Sequence, residues 1–357
     1  MSFLKNAWYV AAISTEVEGD KLVSRKLLDT SVLLYRKANG EAVAMQDRCP
    51  HRFAPLSLGK RVGDEVQCLY HGLRFNSEGA CTHSPHGDGN VPERACVRTF
   101  TVLERYGFVW IWMGQAQKAD ESRMPDYPLL ENPKPTAVGH GYMHMQANYQ
   151  LIVDNVMDLS HVDHVHGPLL NTAGKLSPQK PPVIEKEGSL LVRWEWQQHP
   201  PMGLFAPLMP DPEGPAEQFV QVKWSAPSNM FLTVGAVQGS RDYDKGMISW
   251  DFHLMTPESE TSTHYFFASL RNFMEDDADF NAAKLQSMID TFKAEDEPLI
   301  AAVQAEMGTT DFWSLKPALL SCDPAPVKAR RRLQKLIDEE AGLTSKSVPL
   351  SRVTAQA

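Results

Sequence analysis

Cys49-Pro50-His51 and Cys68-Leu69-Tyr70-His71-Gly72 place two cysteines and two histidines in two short chelating pairs, with sixteen residues between His51 and Cys68. Each pair sits beside a Pro or Gly turn residue, which suits two adjacent loops closing on one metal centre. Thiolates combined with imidazoles suit zinc or iron. A second cluster, running from Asp154 and Asn155 through Asp158, His161, Asp163 and His164 to His166, holds three histidines and three carboxylates in thirteen residues. Asp158 and His161 share a helix face. His161 and His166 stand about 140° apart on an ideal helix, so both can grip one ion only where the helix ends or distorts. Gly167-Pro168 supplies a stop. Two histidines with one distant carboxylate would form the facial triad of non-haem Fe(II) oxygenases, which leaves positions open for O2. The carboxylate candidates are Asp276, Asp277, Asp279, Asp290, Glu295, Asp296 and Glu297, and spacing does not choose among them. His164 reads as a surface residue or a ligand's partner, and Asp154 as a group that orients the helix. Cys81, Cys96 and Cys322 lack chelating spacing and read as small buried hydrophobes. His83 and His86, in a Gly-rich stretch, read as turn residues.

Loops that hold metals need rigid elements around them. Two β-rich runs flank Asn39-Gly40, a pair that favours the φ > 0 turn of a hairpin. Short β-like runs follow at 66–69 and 73–76, and two aromatic, β-branched stretches surround Gly107 within 100–113. The first third is therefore small, β-rich and loop-rich. Pro125, Pro128, Pro133 and Pro135 punctuate a polar stretch at 119–135, where the pattern places a domain boundary, giving domains 1–125 and 126–357. Beyond it, 149–161 is helix-compatible, and 191–196, 231–237, 248–255 and 264–271 read as strands of a larger sheet. The run 279–307 has helical spacing with an end or kink at Pro298, and 327–341 is an amphipathic helix whose Lys328, Arg330, Arg331 and Arg332 form a solvated face. The last residues read as a loose tail.

The chain has 357 residues and a formal charge of −9, and no Lys/Arg block outside that late helix, which argues against nucleic acid or an anionic membrane as partner. Five cysteines are too few and too odd in number for a disulfide framework. The first residues lack a signal-peptide pattern and no apolar run reaches the ~18 residues of a membrane span, so the expectation is a soluble cytoplasmic protein.

The spacing Cys-x-His, sixteen residues, Cys-x-x-His resembles the Rieske [2Fe–2S] motif, in which one iron is held by two Cys and the other by two His. Asp-x3-Asp-x2-His-x4-His resembles the mononuclear-iron motif of Rieske non-haem iron oxygenase α-subunits. The opening Asn6-Ala7-Trp8-Tyr9-Val10-Ala11, the run 148–159, Thr256-Pro257-Glu258 and Arg271-Asn272-Phe273 are similar to the vanillate O-demethylase and dicamba monooxygenase branch. The resemblance implies an α+β fold: a β-rich Rieske domain, then a catalytic domain with a large antiparallel sheet and helices of the helix-grip, START-like kind. It implies that Cys49 and Cys68 hold one cluster iron and His51 and His71 the other, and that His161, His166 and Asp296 hold the mononuclear iron. Asp296 is chosen because Lys293-Ala294-Glu295-Asp296 resembles the stretch that provides the ligand in that branch.

The same resemblance implies a homotrimer in which Asp158 bridges a cluster histidine of one subunit, His71, to His161 of the next. Asn155 falls near the iron, and His253 matches a substrate-contacting histidine. Ser287 occupies the position of an aromatic anchor, a departure from the branch. Electrons from NAD(P)H would arrive through a separate reductase, because no Gly-x-Gly-x-x-Gly dinucleotide fingerprint follows a strand. The implied reaction is O-demethylation of a methoxylated, vanillate-like aromatic acid, releasing a phenol and formaldehyde. An acid group would call for a basic anchor such as Arg193, Lys223, Arg241 or Arg271. The alternatives are methyl or ring hydroxylation of another aromatic acid or sulfonate, and a plain electron carrier.

Overall fold

The computed structural model describes residues 3–343, apart from the side chain of Pro168, so the expected tail lies outside the described residues. Among the described residues three antiparallel sheets carry the chain. The first runs in the order Trp8–Ile13, Phe108–Trp112, Thr99–Arg105, Ala42–Gln46, Thr30–Arg36 and Val23–Leu27. Lys60–Val62, Glu65–Gln67, Arg74–Phe75 and Cys81–His83 form the second, smaller sheet. A seven-stranded sheet follows, ordered Val138–Met145, Thr263–Arg271, Met247–Pro257, Asn229–Val237, Ala216–Ser225, Ser189–His199 and Ile184–Lys186. The class is α+β.

The expected hairpins form, with Gly40 at φ 90° in the first turn and Tyr106 and Gly107 both left-handed in the second. A side chain at Gly107 would lie 2.4 Å from His140 Nε2, so this turn requires glycine. In the seven-stranded sheet three strands escape the sequence pattern, Val138–Met145, Ala216–Ser225 and the short Ile184–Lys186, as do Trp8–Ile13, Val23–Leu27, Lys60–Val62 and Cys81–His83 in the first third. Val138–Met145 contains two glycines and two histidines and has little β signal of its own. Its pairing with Thr263–Arg271 makes it a strand, and a Cβ on Gly141 would collide with Phe267 there.

The two halves share a core. Trp8, Val10, Phe108 and Trp110 pack with Phe252, Leu254, Phe266 and Leu270, and Thr256 Oγ1 donates to the Val10 carbonyl at 2.7 Å. His264 adds a polar tie: Nε2 donates to the Lys26 carbonyl at 2.9 Å, leaving Nδ1 to accept from the Tyr142 hydroxyl at 2.8 Å. Burial holds its pKa down at about 4 although the Lys26 carbonyl opposes this. An unfolded histidine takes its proton near pH 6.5. Between about pH 6.5 and 4 the unfolded chain therefore binds more protons than the folded one, and stability that is complete above this window is lost as pH falls through it. Burial holds His253 at about 4 too, with the same sign. Denaturant midpoints should fall across this range, with a shallower slope in His264→Phe; identical slopes would remove His264 from the account.

Among the described residues five α-helices flank the sheets: α1 (Tyr149–Met157), α2 (Val162–Val165), α3 (Ala278–Thr291), α4 (Glu297–Met307) and α5 (Pro324–Glu340). Asn148 caps α1 through the Gln150 N–H, and Asp277 caps α3 through the Phe280 N–H. The expected break near Pro298 comes earlier, as a π-helical turn over Phe292–Asp296, and Pro298 sits in the first turn of α4, where its missing N–H costs nothing.

The solvated basic face expected on the last helix is corrected at Arg330, which is buried and grips Asp154 on α1 through three contacts of 2.6–2.9 Å. A helical wheel cannot show that the turn carrying Arg330 packs on another helix. Lys328 does remain outside, paired with Glu185 at 2.5 Å. Arg330→Leu leaves the Asp154 carboxylate without its partner, and should cost about 3 kcal/mol in denaturant unfolding. An Arg330→Met/Asp154→Leu double variant should recover much of that loss; if the single variant matches wild type, the pair has no such role. The three remaining cysteines also depart from expectation: Cys96 is exposed, while its neighbour Val97 turns into the core, and Cys81 and Cys322 are only half-buried.

Candidate active site

Helix α1 stops at Asp158, whose backbone is no longer helical (φ −110°, ψ 87°), and a single 3-10 turn, Leu159–His161, leads into α2. α2 ends at His166, whose backbone is extended. These two breaks turn His161 and His166 to the same side, the distortion their spacing demands. Opposite them the π-helical turn presents Asp296, which is 3% exposed. His161 Nε2 lies 3.4 Å from Asp296 Oδ1, and His166 Nε2 lies 3.6 Å from Oδ2. One ligand atom from each residue falls within 4.8 Å of the others.

The remaining ring nitrogens are committed elsewhere. His161 Nδ1 donates to the Asp158 main-chain carbonyl, and His166 Nδ1 donates to Glu295 Oε2 at 2.6 Å. Both Nε2 atoms are thereby left as lone-pair donors facing the carboxylate. Asn155 Nδ2 donates to Asp296 Oδ1 at 3.0 Å and fixes its orientation. Burial pulls the His161 pKa down, yet Asp296 and the Asp158 carbonyl outweigh it and the net shift is upward. A buried carboxylate facing two imidazoles favours a positive charge between them, and this donor set with room on its open side suits a ferrous ion. Of the seven carboxylates considered, Asp296 meets both imidazoles and Glu295 supports one of them.

The open side leads into a cavity of about 410 Å³. Its walls are mainly apolar, with Leu204, Leu232, Val234 and Phe280 among them, and Asn155, Asp251, His253 and Lys284 supply polar groups. His253 Nδ1 meets the Tyr265 hydroxyl, while its buried Nε2 has no hydrogen-bond partner among the described residues. Ser287 lines the wall from α3, so the small residue leaves room where the branch has an aromatic anchor. The four basic residues considered as acid anchors do not line this cavity. Arg271 donates to the Ala137, Thr136, Met274 and Asp277 carbonyls and bolts the start of α3 to the sheet. Arg193 stacks on Phe219 at 3.9 Å, Lys223 is exposed, and Arg241 has an 81% exposed side chain. Lys284, absent from the sequence candidates, lines the wall instead; a lysine within an amphipathic helix gives no sign that it points inward.

In the first third of the chain, the loops after Ala42–Gln46 and Glu65–Gln67 present the Cys/His pairs. Cys49 and Cys68 are buried, and the His51 and His71 rings lie 4.4 Å apart with His51 exposed. The loops close alike: the N–H of Phe53 returns to the Cys49 carbonyl at 2.9 Å, and that of Gly72 to the Cys68 carbonyl at 3.0 Å. Phe53 and Gly72 are both left-handed. Burial pushes the Cys49 thiol up to about 11, and the neighbouring Cys68 sulfur adds to this. Burial, with His51 and Arg52 nearby, holds the His71 pKa down, so its ring is neutral. A buried Cys49 thiol that ionises only against added positive charge, beside the buried Cys68 sulfur and two imidazoles, suits a cluster bound by both pairs. The expected turn role needs correction at His83, which lies on a strand; His86 does open a turn, its carbonyl accepting from the Gly89 N–H at 3.0 Å, and its Nε2 also reaches the His71 carbonyl at 2.9 Å, bracing the ligand loop. His164 is a surface residue bonded to Ser177.

Asp158 faces a smaller opening, shared with Asn155, His161, Phe312, Leu319 and Arg330. Its carboxylate accepts from the Ser160 N–H at 3.0 Å and hydroxyl at 2.6 Å. Within one chain it is the main-chain carbonyl of Asp158, and not its carboxylate, that receives the His161 N–H.

Residues 7–101 match the Rieske [2Fe-2S] domain, and residues 145–339 match the vanillate O-demethylase oxygenase C-terminal domain. The chain belongs to the Rieske non-haem iron oxygenases of the vanillate O-demethylase type. It is 38% identical to the oxygenase component of chloroacetanilide N-alkylformylase from Rhizorhabdus wittichii, over 95% of this chain and 97% of that protein. Identity is 36% to the oxygenase component of dicamba O-demethylase from Stenotrophomonas maltophilia, over 96% and 100%. The crystal structure of dicamba monooxygenase bound to 3,6-dichlorosalicylic acid superposes with a TM-score of 0.89 at 35% identity, covering 96% of this chain and 99% of that one. The chain is thus the oxygenase component of a multicomponent monooxygenase, with a [2Fe–2S] cluster and a mononuclear iron as cofactors and electrons supplied by a separate reductase. Among the described residues no helix is long and apolar enough to cross a membrane.

Proposed function

We propose that this oxygenase O-demethylates a methoxylated, single-ring aromatic of vanillate-like size. The observation that carries the reading is the His161, His166 and Asp296 cluster opening directly onto a mainly apolar cavity of about 410 Å³, a size suited to one substituted ring. The relatives named dicamba O-demethylase and vanillate O-demethylase support it. In this reading Cys49, His51, Cys68 and His71 hold the cluster, which supplies single electrons, and the three-residue site holds the iron that activates O2. Glu295 and the Asp158 carbonyl keep both ligand imidazoles in the Nε2-donor form, and Asn155 keeps Asp296 turned toward them. With the Tyr265 hydroxyl donating to Nδ1, His253 carries its hydrogen on Nε2 and offers it to a substrate oxygen. Apolar walls keep water from the reacting methyl group.

The overall change is aryl methyl ether, O2, NAD(P)H and a proton to phenol, formaldehyde, water and NAD(P)+. Hydroxylation of the methoxy carbon gives a hemiacetal that collapses to the two organic products. With the reductase present, formaldehyde release should equal substrate loss on a panel of methoxyarenes; ring-hydroxylated products with the methoxy group retained would sink the reading. The second reading, methyl hydroxylation, is favoured by 35% identity to the toluene-4-sulfonate monooxygenase iron-sulfur subunit from Comamonas testosteroni, and the same product analysis decides between them.

The domain division 1–125 and 126–357 goes with this reading, as does assembly into a homotrimer. Exposed Phe53, Leu69 and Tyr70 surround the Cys/His loops, and exposed Leu319 and Leu320 lie by the opening at Asp158. Joining those two patches between subunits would cover both and bring His71 of one subunit to Asp158 of the next.

A further inference from the structure

Lys284 on α3 and Asp251 on Met247–Pro257 both line the cavity, with side chains 7% and 8% exposed. Nζ lies 3.4 Å from Asp251 Oδ1, also meets the Ser269 hydroxyl, and points its remaining contact at the Met288 sulfur, 3.6 Å away. Asp251 Oδ2 in turn accepts from the Ser249 hydroxyl at 3.0 Å. Asp251 and His253 are two residues apart on one strand and so share a face.

A buried ion pair is a poor fastener, because well-packed apolar residues do the same work without desolvating two charges. Here the pair stands in the wall of an otherwise apolar cavity, and one of the three ammonium donors has only a thioether, a weak acceptor. A substrate oxygen near that sulfur would be the better partner. Charge decides which oxygen. Lys284 is the one Lys or Arg among the lining residues, and Asp251 already neutralises it. A carboxylate or sulfonate entering there would put a second anion against one ammonium in a desolvated site. A carbonyl oxygen of an ester, amide or ketone brings no charge.

We propose that the Lys284–Asp251 pair is the specificity determinant of the cavity, donating one N–H to a neutral oxygen acceptor on the aromatic substrate and selecting against the free acid. This replaces the aromatic acid expected from sequence by a neutral counterpart, and it rests on the dealkylation reading only for which carbon reacts.

The test uses the holoenzyme with methyl vanillate and vanillate as a matched pair, binding measured by calorimetry and formaldehyde release measured separately. Wild type should bind the ester at least about 30-fold more tightly than the acid, equivalent to roughly 2 kcal/mol. Asp251→Asn, which leaves Lys284 uncompensated, should shrink or invert that ratio by improving acid binding. Lys284→Met should weaken ester binding by about tenfold and leave the acid weak. A wild type that prefers the acid, or fails to bind either ligand, overturns the proposal. So does an unchanged ester-to-acid ratio in both variants with only a lower Tm, the mark of a purely structural pair. If Asp251→Asn does not fold, the wild-type ratio and Lys284→Met still decide. Tight ester binding without formaldehyde would refute the dealkylation reading and leave the selectivity intact.

Discussion

Asp296→Ala is expected to empty the mononuclear iron site while leaving the [2Fe–2S] absorbance at its wild-type value. Asp296 is the carboxylate that meets both His161 and His166, and its removal leaves two neutral imidazoles with no anionic ligand. Turnover should fall by at least about a thousandfold, since the iron is what activates O2. The fold should persist, because Asp296 turns toward His161 and His166 and caps no helix with its side chain. Glu295→Gln makes the instructive contrast: it weakens the support of His166 Nδ1 without removing a ligand, so iron affinity should drop by only about 10–100-fold. Iron analysis beside the visible spectrum checks both variants. One iron per chain beyond the cluster, with normal turnover, in Asp296→Ala would show that another group completes the site.

Asp158→Asn carries the second large effect and the opposite signature: both metals retained and turnover reduced by at least about a hundredfold. Asparagine Oδ1 can still accept from the Ser160 N–H and hydroxyl, so the 3-10 turn survives. The His161 N–H goes to the main-chain carbonyl, which the substitution does not touch, so iron should stay. What is lost is the negative charge facing the small opening, where a cluster histidine of a neighbouring subunit would be met in a trimer. Stopped-flow measurement should therefore show a cluster that the reductase still reduces but that reoxidises slowly in the presence of substrate and O2. Wild-type reoxidation would refute the bridge. Loss of iron would show instead that Asp158 holds the turn together.

The ligand types and most of the site were legible in the chain itself. Paired Cys and His at fixed short spacing are local chemistry, and the loops that carry them need only neighbouring hairpins, whose Asn39-Gly40 and Gly107 turns are equally local. His161 and His166 could be paired because their separation is incompatible with a continuous helix, and two breaks do occur around them. The tertiary structure decided whatever depends on which face of an element meets another. Asp296 was separable from six other carboxylates only by resemblance; in the structure a π-helical turn directs it toward His161 and His166 and its neighbour Glu295 toward His166 Nδ1. Arg330 and Arg331 are adjacent in one basic run, yet packing of α5 on α1 buries Arg330 against Asp154 and leaves Arg331 exposed. Lys284 follows the same rule. Periodicity describes a helix but not its partner, so a buried, charge-compensated lysine in the cavity wall exists only once α3 lies on the sheet beside Asp251 and Ser269.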